Sequence, residues 1–246
     1  MYNFFVNEGS RAGDIFTVTG ADCNHIKNVL RMREGEQILV SEGGKSHLCE
    51  IESMSEAAVT ARVLEENYRE TELPVKIYLF QGLPKSDKME LIIQKAVELG
   101  VYEIIPVEMH RSVVKLDEKK KESRRARWQA IAESAAKQSK RNAIPNVSDV
   151  LSYKQAMEKA REMGLFLVPY ENERGMVATK EALAKMARGM SVGILIGPEG
   201  GFEPKEIDLA AEAGGELVSL GARILRTETA AIASVSMCML HAEMEV

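Results

Sequence analysis

SVGILIGPEGGFEPKEI, residues 191–207, runs an apolar strand straight into Gly197-Pro198-Glu199-Gly200-Gly201, with a helix start near Pro204. Ligands in open α/β sheets sit beyond the carboxyl ends of the strands. Glycines at such an end let the backbone approach a ligand closely. The spacing is not G-x-G-x-x-G and no Gly-Lys-Ser/Thr follows, so a dinucleotide fingerprint and a P-loop are both disfavoured. A tight strand–helix turn without a ligand remains the alternative at this point.

Two further stretches have the same form. ELVSLG, residues 216–221, is a strand with Gly221 directly after it, and ARILRTETAAIAS follows. Thr227 is placed to cap the last helix and Glu228 suits its positive N-terminus. Those structural tasks leave Arg223, Arg226 and Thr229 unexplained. LFLVPYENE, residues 165–173, also ends an apolar strand in a polar turn, Pro169-Tyr170-Glu171. Three such ends can frame one pocket, and a pocket of backbone amides and carbonyls with apolar walls suits a nucleoside better than a phosphate.

From about residue 74 onward, strand and helix patterns alternate. VKIYLFQG (75–82) precedes PKSDKMELIIQKAVELG (84–100), where Asp87 and Glu90 have capping-box spacing and Gly100 is a stop signal. A long helix is expected from about Glu118 to Lys140, and a last helix from Thr227. Such alternation argues a mostly parallel α/β sheet. The first 66 residues differ. DIFTVTG, EQILVSE, SHLCEIESM and AAVTARVLEE are short β-rich runs, and Gly43-Gly44 separates two of them as a hairpin turn would. One helix, DCNHIKNVLRMR with Asp22 as its N-cap, interrupts them. A small barrel or curled sheet fits. ENYRETELP (66–74) reads as the linker, giving domains at 1–70 and 74–246.

Composition bounds the function. The chain has 246 residues, 45% apolar and 28% charged, with a net charge of -5. That excludes a generally basic nucleic-acid binder but not a local patch. Residues 115–141 hold ten Lys/Arg against four Asp/Glu, a density that a phosphate backbone attracts. Arg124, Arg125, Arg127, Lys137, Lys140 and Arg141 are poorly matched by acids in the linear sequence. Lys27, Arg31 and Arg33 add a smaller patch. A solvated charged helix is the competing reading. Cys23, Cys49 and Cys238 are odd in number and far apart, as expected of reduced, packed thiols in a cytoplasmic protein. No Cys/His cluster suggests a metal, no run of 18 apolar residues suggests a membrane span, and the first residues do not read as a signal peptide.

Taken together, GPEGGF after a strand, LGARILRTETAA leading the last helix, HIKNVLRMREGEQI, KMELIIQKAVELGV and RWQAIAESAAKQSKR resemble the ribosomal RNA small subunit methyltransferase E family of the SPOUT superfamily. The resemblance spans nearly the whole chain. Family members often carry an arginine in the first few residues, where this chain reads Met1-Tyr2-Asn3-Phe4 and its nearest arginine is Arg11.

The resemblance implies an N-terminal PUA-like RNA-binding β-barrel, a C-terminal SPOUT α/β domain with a deep trefoil knot, and a homodimer. The implied reaction is methyl transfer from S-adenosylmethionine to N3 of one uridine in the decoding region of 16S rRNA, presented as rRNA or as the small ribosomal subunit. The implied cofactor positions are Pro169, Tyr170 and Glu171 in one loop. In the second they are Ile196, Gly197, Pro198, Glu199, Gly200 and Gly201. In the third they are Leu220, Gly221, Ile224, Leu225 and Arg226, with Thr229 and Ala230 following.

A sulfonium methyl is already activated, so the chemistry asks for no metal. The barrier lies at uridine N3, whose proton must leave. A base, or a cation stabilising the uridylate, lowers it. Arg226 is the candidate cation, with a salt bridge to Glu199 or Glu228 as its competing role. Glu199 is the candidate base, or it only orients its loop. Two readings stay open beside this one: a ribose 2′-O-methyltransferase of the same superfamily, and a non-enzymatic RNA-binding module.

Overall fold

The computed structural model describes residues 1–85, 87–170 and 175–246. They divide into two compact units, Met1–Glu72 with Ala136–Ile144, and Leu73–Ala135 with Pro145–Val246.

In the first unit, β1 (Asn3–Phe5), β2 (Arg11–Ala12) and β3 (Ile15–Thr19) lead to α1 (Gly20–Asn24), which continues as a π-helical turn over His25–Val29. Then come β4 (Gln37–Glu42), β5 (Lys45–Met54) and β6 (Ala58–Arg69). Their order in the sheet is β1-β4-β5-β6-β3-β2, antiparallel except for β1 beside β4. Gly43-Gly44 does join β4 to β5. Phe4, Phe16, Val18, Ile38, Val40, Cys49, Ile51, Val59 and Ala61 fill one side. Register shifts along β5 and β6 add the local twist that curls a sheet around such a core. Of the small barrel or curled sheet expected, the structure shows a curled six-stranded sheet with β1 and β2 at its edges. Asp22 is not the cap of α1. Thr19 is, and the Asp22 carboxylate instead pairs with Lys137 at 2.8 Å.

The stretch read as a linker is half strand, because β6 runs to Arg69. Its remainder anchors residues 136–144. Asn142 Nδ2 donates to the Arg69 carbonyl at 2.7 Å, the Asn142 amide donates to Thr71 Oγ1 at 3.0 Å, and Arg141 pairs with Glu72. The Asn3 side-chain amide also donates to the Arg141 carbonyl at 2.9 Å.

In the second unit the elements alternate as the sequence suggests: β7 (Lys76–Gly82), α2 (Lys88–Glu98), β8 (Glu103–Glu108) and α3 (Glu118–Ser139), whose last residues belong to the first unit. Short β9 (Asn146–Val147) and β10 (Leu151–Ser152) follow, then α4 (Tyr153–Ala160), β11 (Leu165–Pro169), α5 (Val177–Leu183), β12 (Ser191–Ile196), α6 (Pro204–Glu212), β13 (Gly215–Val218) and α7 (Thr227–Glu245). The seven strands are all parallel, in the order β10-β8-β7-β12-β11-β13 with β9 also beside β8.

Crossing from β10 to β11 and back to β12 makes β12, β11 and β13 neighbours. Leu167 pairs with Ile194 and Pro169 with Val218, so the three carboxyl ends reach the same edge. On α2, Met89, Ile92, Ile93, Ala96 and Val97 are buried, one face of a 3.6-residue period. The expected capping box does not form. Asp87 adopts helical angles and its side chain caps nothing, while Glu90 pairs with Arg127 at 2.7 Å. Among the described residues no helix is long and apolar enough to cross a membrane.

Candidate functional site

Beyond β11, β12 and β13 lies a cavity of about 920 Å³, in the range of small-molecule sites, roughly 300–1,000 Å³. Pro169 and Tyr170 line it from the first loop, Ile196 to Phe202 from the second, and Ser219 to Thr227 with Ala230 from the third. Of the expected positions, Glu171 lies outside the described residues, and Thr229 does not line the cavity. Thr227 and Ala230 share a face of α7, and Thr229 sits well around the helix from both. The sequence reading missed Lys88, Gly175, Phe202, Ser219 and Thr227 as lining residues. Lys88 alone carried a signal, as the basic residue opening a helix after an apolar strand.

Thr227 is not the helix cap. Arg226 takes the extended N-cap conformation, and Thr227 is the first helical residue. Its hydroxyl donates to the Gly197 carbonyl at 2.6 Å and accepts from Gln81 Nε2 at 3.0 Å. The Thr227 hydroxyl therefore ties the second loop to the start of α7, and Gln81, fully buried near the end of β7, orients it. Gly221 has φ +104, which a side chain would strain, and its amide donates to Ser219 Oγ. The next four amides, residues 222–225, make no hydrogen bond among the described residues. Their residues line the cavity.

Glu199 is held from two sides. The Lys85 amide donates to its Oε1 at 3.0 Å, and Lys88 Nζ lies 3.1 Å from the same oxygen. Burial alone would raise the Glu199 carboxyl. The Lys85 amide, its own amide and Lys88 outweigh that and hold it below its ordinary value. It is therefore a poor proton acceptor and a good loop anchor. Lys88 Nζ is also 3.2 Å from Glu228 Oε2. Both acids expected to compete for Arg226 thus lie within ion-pair distance of Lys88, although Glu228 Oε2 accepts no hydrogen bond among the described residues. The Arg226 side chain, exposed at the cavity, has no hydrogen bond or ion pair among the described residues.

The basic helix is less free than its sequence suggests, because acids distant in sequence reach it. Arg125 pairs with Asp149 at 3.2 Å, Arg127 with Glu90 and Lys137 with Asp22. Arg141 cannot contribute to an exposed basic face: it is 4% exposed and its guanidinium is held by Glu72. Lys27 bonds the carbonyls of Ser55 and Glu56. Arg31 and Arg33 are exposed, and Arg124 and Lys140 are half-buried. None of these four has an ion pair among the described residues. Arg11 lies on β2 and pairs with Glu66 at 2.5 Å. No cluster of three or more His, Cys, Asp or Glu arranged to hold a metal occurs among the described residues.

A parallel sheet with a nucleoside-sized cavity at its carboxyl edge, in a chain that also carries a curled β-sheet unit, is the form of an RNA-modifying transferase. Residues 71–239 match the family described as RNA methyltransferase domain, and residues 18–64 match the RNA methyltransferase PUA domain. The ribosomal RNA small subunit methyltransferase E of Bacillus subtilis is 42% identical over 233 residues, covering 93% of this chain and 91% of its own. The crystal structure of the Neisseria gonorrhoeae ribosomal RNA small subunit methyltransferase E bound to S-adenosylmethionine superposes with a TM-score of 0.84 at 33% identity, over 98% of this chain and 97% of that one. A Legionella pneumophila methyltransferase in complex with the same cofactor gives 0.83 at 31%, over 97% of each chain. The chain belongs to the ribosomal RNA small subunit methyltransferase E family.

Proposed function

We propose that this S-adenosylmethionine-dependent rRNA methyltransferase acts on N3 of one uridine in the decoding region of 16S rRNA. The observation that carries the reading is Arg226, an exposed guanidinium with no hydrogen bond or ion pair among the described residues, lining a cavity framed by three strand ends. The cavity's chemistry suits the cofactor: apolar walls from Tyr170, Ile196, Phe202 and Leu225, unengaged amides at 222–225, and no phosphate-binding lysine motif. When bound, S-adenosylmethionine supplies a methyl group already activated on a sulfonium. The chain's own residues then deal with the acceptor. Arg226 faces a uracil oxygen and stabilises the negative charge left as the N3 proton departs. Glu199 fixes the glycine loop and does not take that proton. The target base must leave its stack, since N3 faces the Watson–Crick partner.

The domain roles belong to the same proposal. Residues 1–70 form a PUA-like RNA-binding domain. Residues 74–246 form a SPOUT methyltransferase domain whose chain threads a deep trefoil knot, and two copies associate through α7 in the cytoplasm. Exposed Leu240 and Met244 on α7 support that association. The test is to map methylated nucleosides by mass spectrometry in rRNA from a strain lacking this protein, before and after incubating its small subunits with purified chain and cofactor. One N3-methyluridine should be absent and then return. A returning ribose methyl would overturn the reading of the acceptor, and no returning methyl at all would overturn rRNA as the substrate.

A further inference from the structure

Lys88 stands at the meeting of three elements. It opens α2, one of its carboxylate partners is in the loop after β12, and the other is in the first turn of α7. Glu228 follows Arg226 by two residues, and Glu199 lines the same cavity as Arg226. Either carboxylate is a natural partner for a guanidinium, which binds such groups bidentately and strongly. Arg226 nevertheless has neither. A lysine suits the task because its ammonium is a compact charge on a flexible stem and can serve two acids from different elements at once. One cation, Lys88, lies within ion-pair distance of both acids.

We infer that Lys88 is a positioning residue: by holding Glu199 and Glu228 together it keeps Arg226 unpaired and available to the substrate. This rests on the reading of Arg226 as the cation that meets the uracil. Without Lys88, Glu228 would lose its nearest cation, and Arg226, two residues before it in the chain, would be the guanidinium drawn to it. The Glu199 carboxylate would keep the Lys85 amide.

The experiment compares methyl transfer to small subunits by the native chain, Lys88→Met, Lys88→Arg, Lys88→Met/Glu228→Gln and Arg226→Ala, with cofactor affinity measured by calorimetry on each. Removing a charge-stabilising donor outright costs about 10²-fold or more in kcat. Capture of Arg226 should cost Lys88→Met at least about tenfold in kcat, with KM for the subunit little changed and the cofactor still bound. Lys88→Arg should keep most activity. The double variant should recover most of the loss, because the capturing acid is gone. If Lys88→Met does not fold, Lys88→Gln serves with the same expectations.

A double variant no better than Lys88→Met overturns the proposal, since Lys88 would then act on the substrate directly. Native kcat in Lys88→Met with a dead Arg226→Ala also overturns it, while leaving the role of Arg226 intact. Full activity in Arg226→Ala overturns both. A loss of cofactor binding in Lys88→Met equal to its loss of activity would assign Lys88 to the loop and not to Arg226.

Discussion

At Gly200 an added Cβ would come within 2.8 Å of the Arg111 Cβ and 3.2 Å of the Arg111 carbonyl oxygen. The sequence points to a glycine needed for ligand approach, but the closest neighbour is the loop after β8, whose Arg111 also donates to the Gly200 carbonyl at 3.1 Å. Gly200→Val should therefore push the glycine loop off Arg111 and weaken cofactor binding by about tenfold or more, a 1.4 kcal/mol effect. Adding Arg111→Gly should restore part of it. Unchanged calorimetric affinity in folded Gly200→Val would refute the account. The Glu199 anchor predicts a pH dependence. Its carboxyl is held below the ordinary 4.5, so the anchor contributes fully above that value and is lost as pH falls through the lower, folded one. Cofactor affinity should hold from neutral pH down to the ordinary carboxylate range and drop below it, and Glu199→Gln should flatten that acid limb. Burial pushes the Cys49 and Cys238 thiols up to about 12. In the native protein at pH 8 both should resist iodoacetamide, and both should react once the chain is unfolded, as mass spectrometry would show. Residue types at the three strand ends were thus legible as neighbours, and they line one cavity. Their partners were not, because Arg111 in the loop after β8, Lys88 on α2 and Gln81 on β7 come from other elements and no spacing rule connects them.

Among the elements, the long helix was read nearly to its ends, since 22 residues of helix-forming sequence leave little alternative. Its charge was misjudged for a physical reason: an ion pair depends on distance in space, and Asp149, Glu90, Asp22 and Glu72 lie remote in sequence. This reshapes the test of RNA binding. Changing Arg127 to Glu would set two carboxylates together at Glu90 and destabilise the fold by up to roughly 1 kcal/mol, confusing any binding result. Arg124, without an ion pair among the described residues, is the cleaner position. Arg124→Glu should weaken rRNA binding and lower the slope of log K against log salt by about one, with cofactor affinity near native. An unchanged slope in filter-binding titrations would leave α3 as a solvated surface. Helix starts show the same limit. The capping-box spacing at Asp87 was real, yet a genuine box forms at Ser152 and Gln155. At Asp87 the backbone is already helical, and Glu90 is claimed by Arg127.

Across the whole molecule, the apolar period changes from β-rich runs to strand–helix alternation near residue 74, and Met1–Glu72 and Leu73–Ala135 fall in different compact units. The return of residues 136–144 to the first unit was not visible, since it rests on side chains such as Arg141 and Asn142 that look like surface in sequence. The same lesson bears on α7. Thr227, Ala231, Ser234, Val235, Cys238 and Ala242 form its buried stripe, and Leu240 and Met244 stand 47% and 70% exposed. A helix this apolar on its outer side is expected to be covered, and a second copy is the occupant proposed above. Sedimentation at micromolar concentration should give twice the chain mass of 27.2 kDa, and Leu240→Glu with Met244→Glu should return it to one. A monomeric native chain would refute the dimer. Mixed dimers sharpen the question. One subunit carries Arg226→Ala and the other Arg124→Glu. If one subunit presents the RNA that the other methylates, each mixed dimer keeps one intact composite site, joining the native cavity of one chain to the native basic helix of its neighbour. Its activity should then be about half that of a native dimer, provided Arg124→Glu alone silences its own site. If each subunit works on RNA that it binds itself, both sites in the mixed dimer stay impaired and mixing restores nothing.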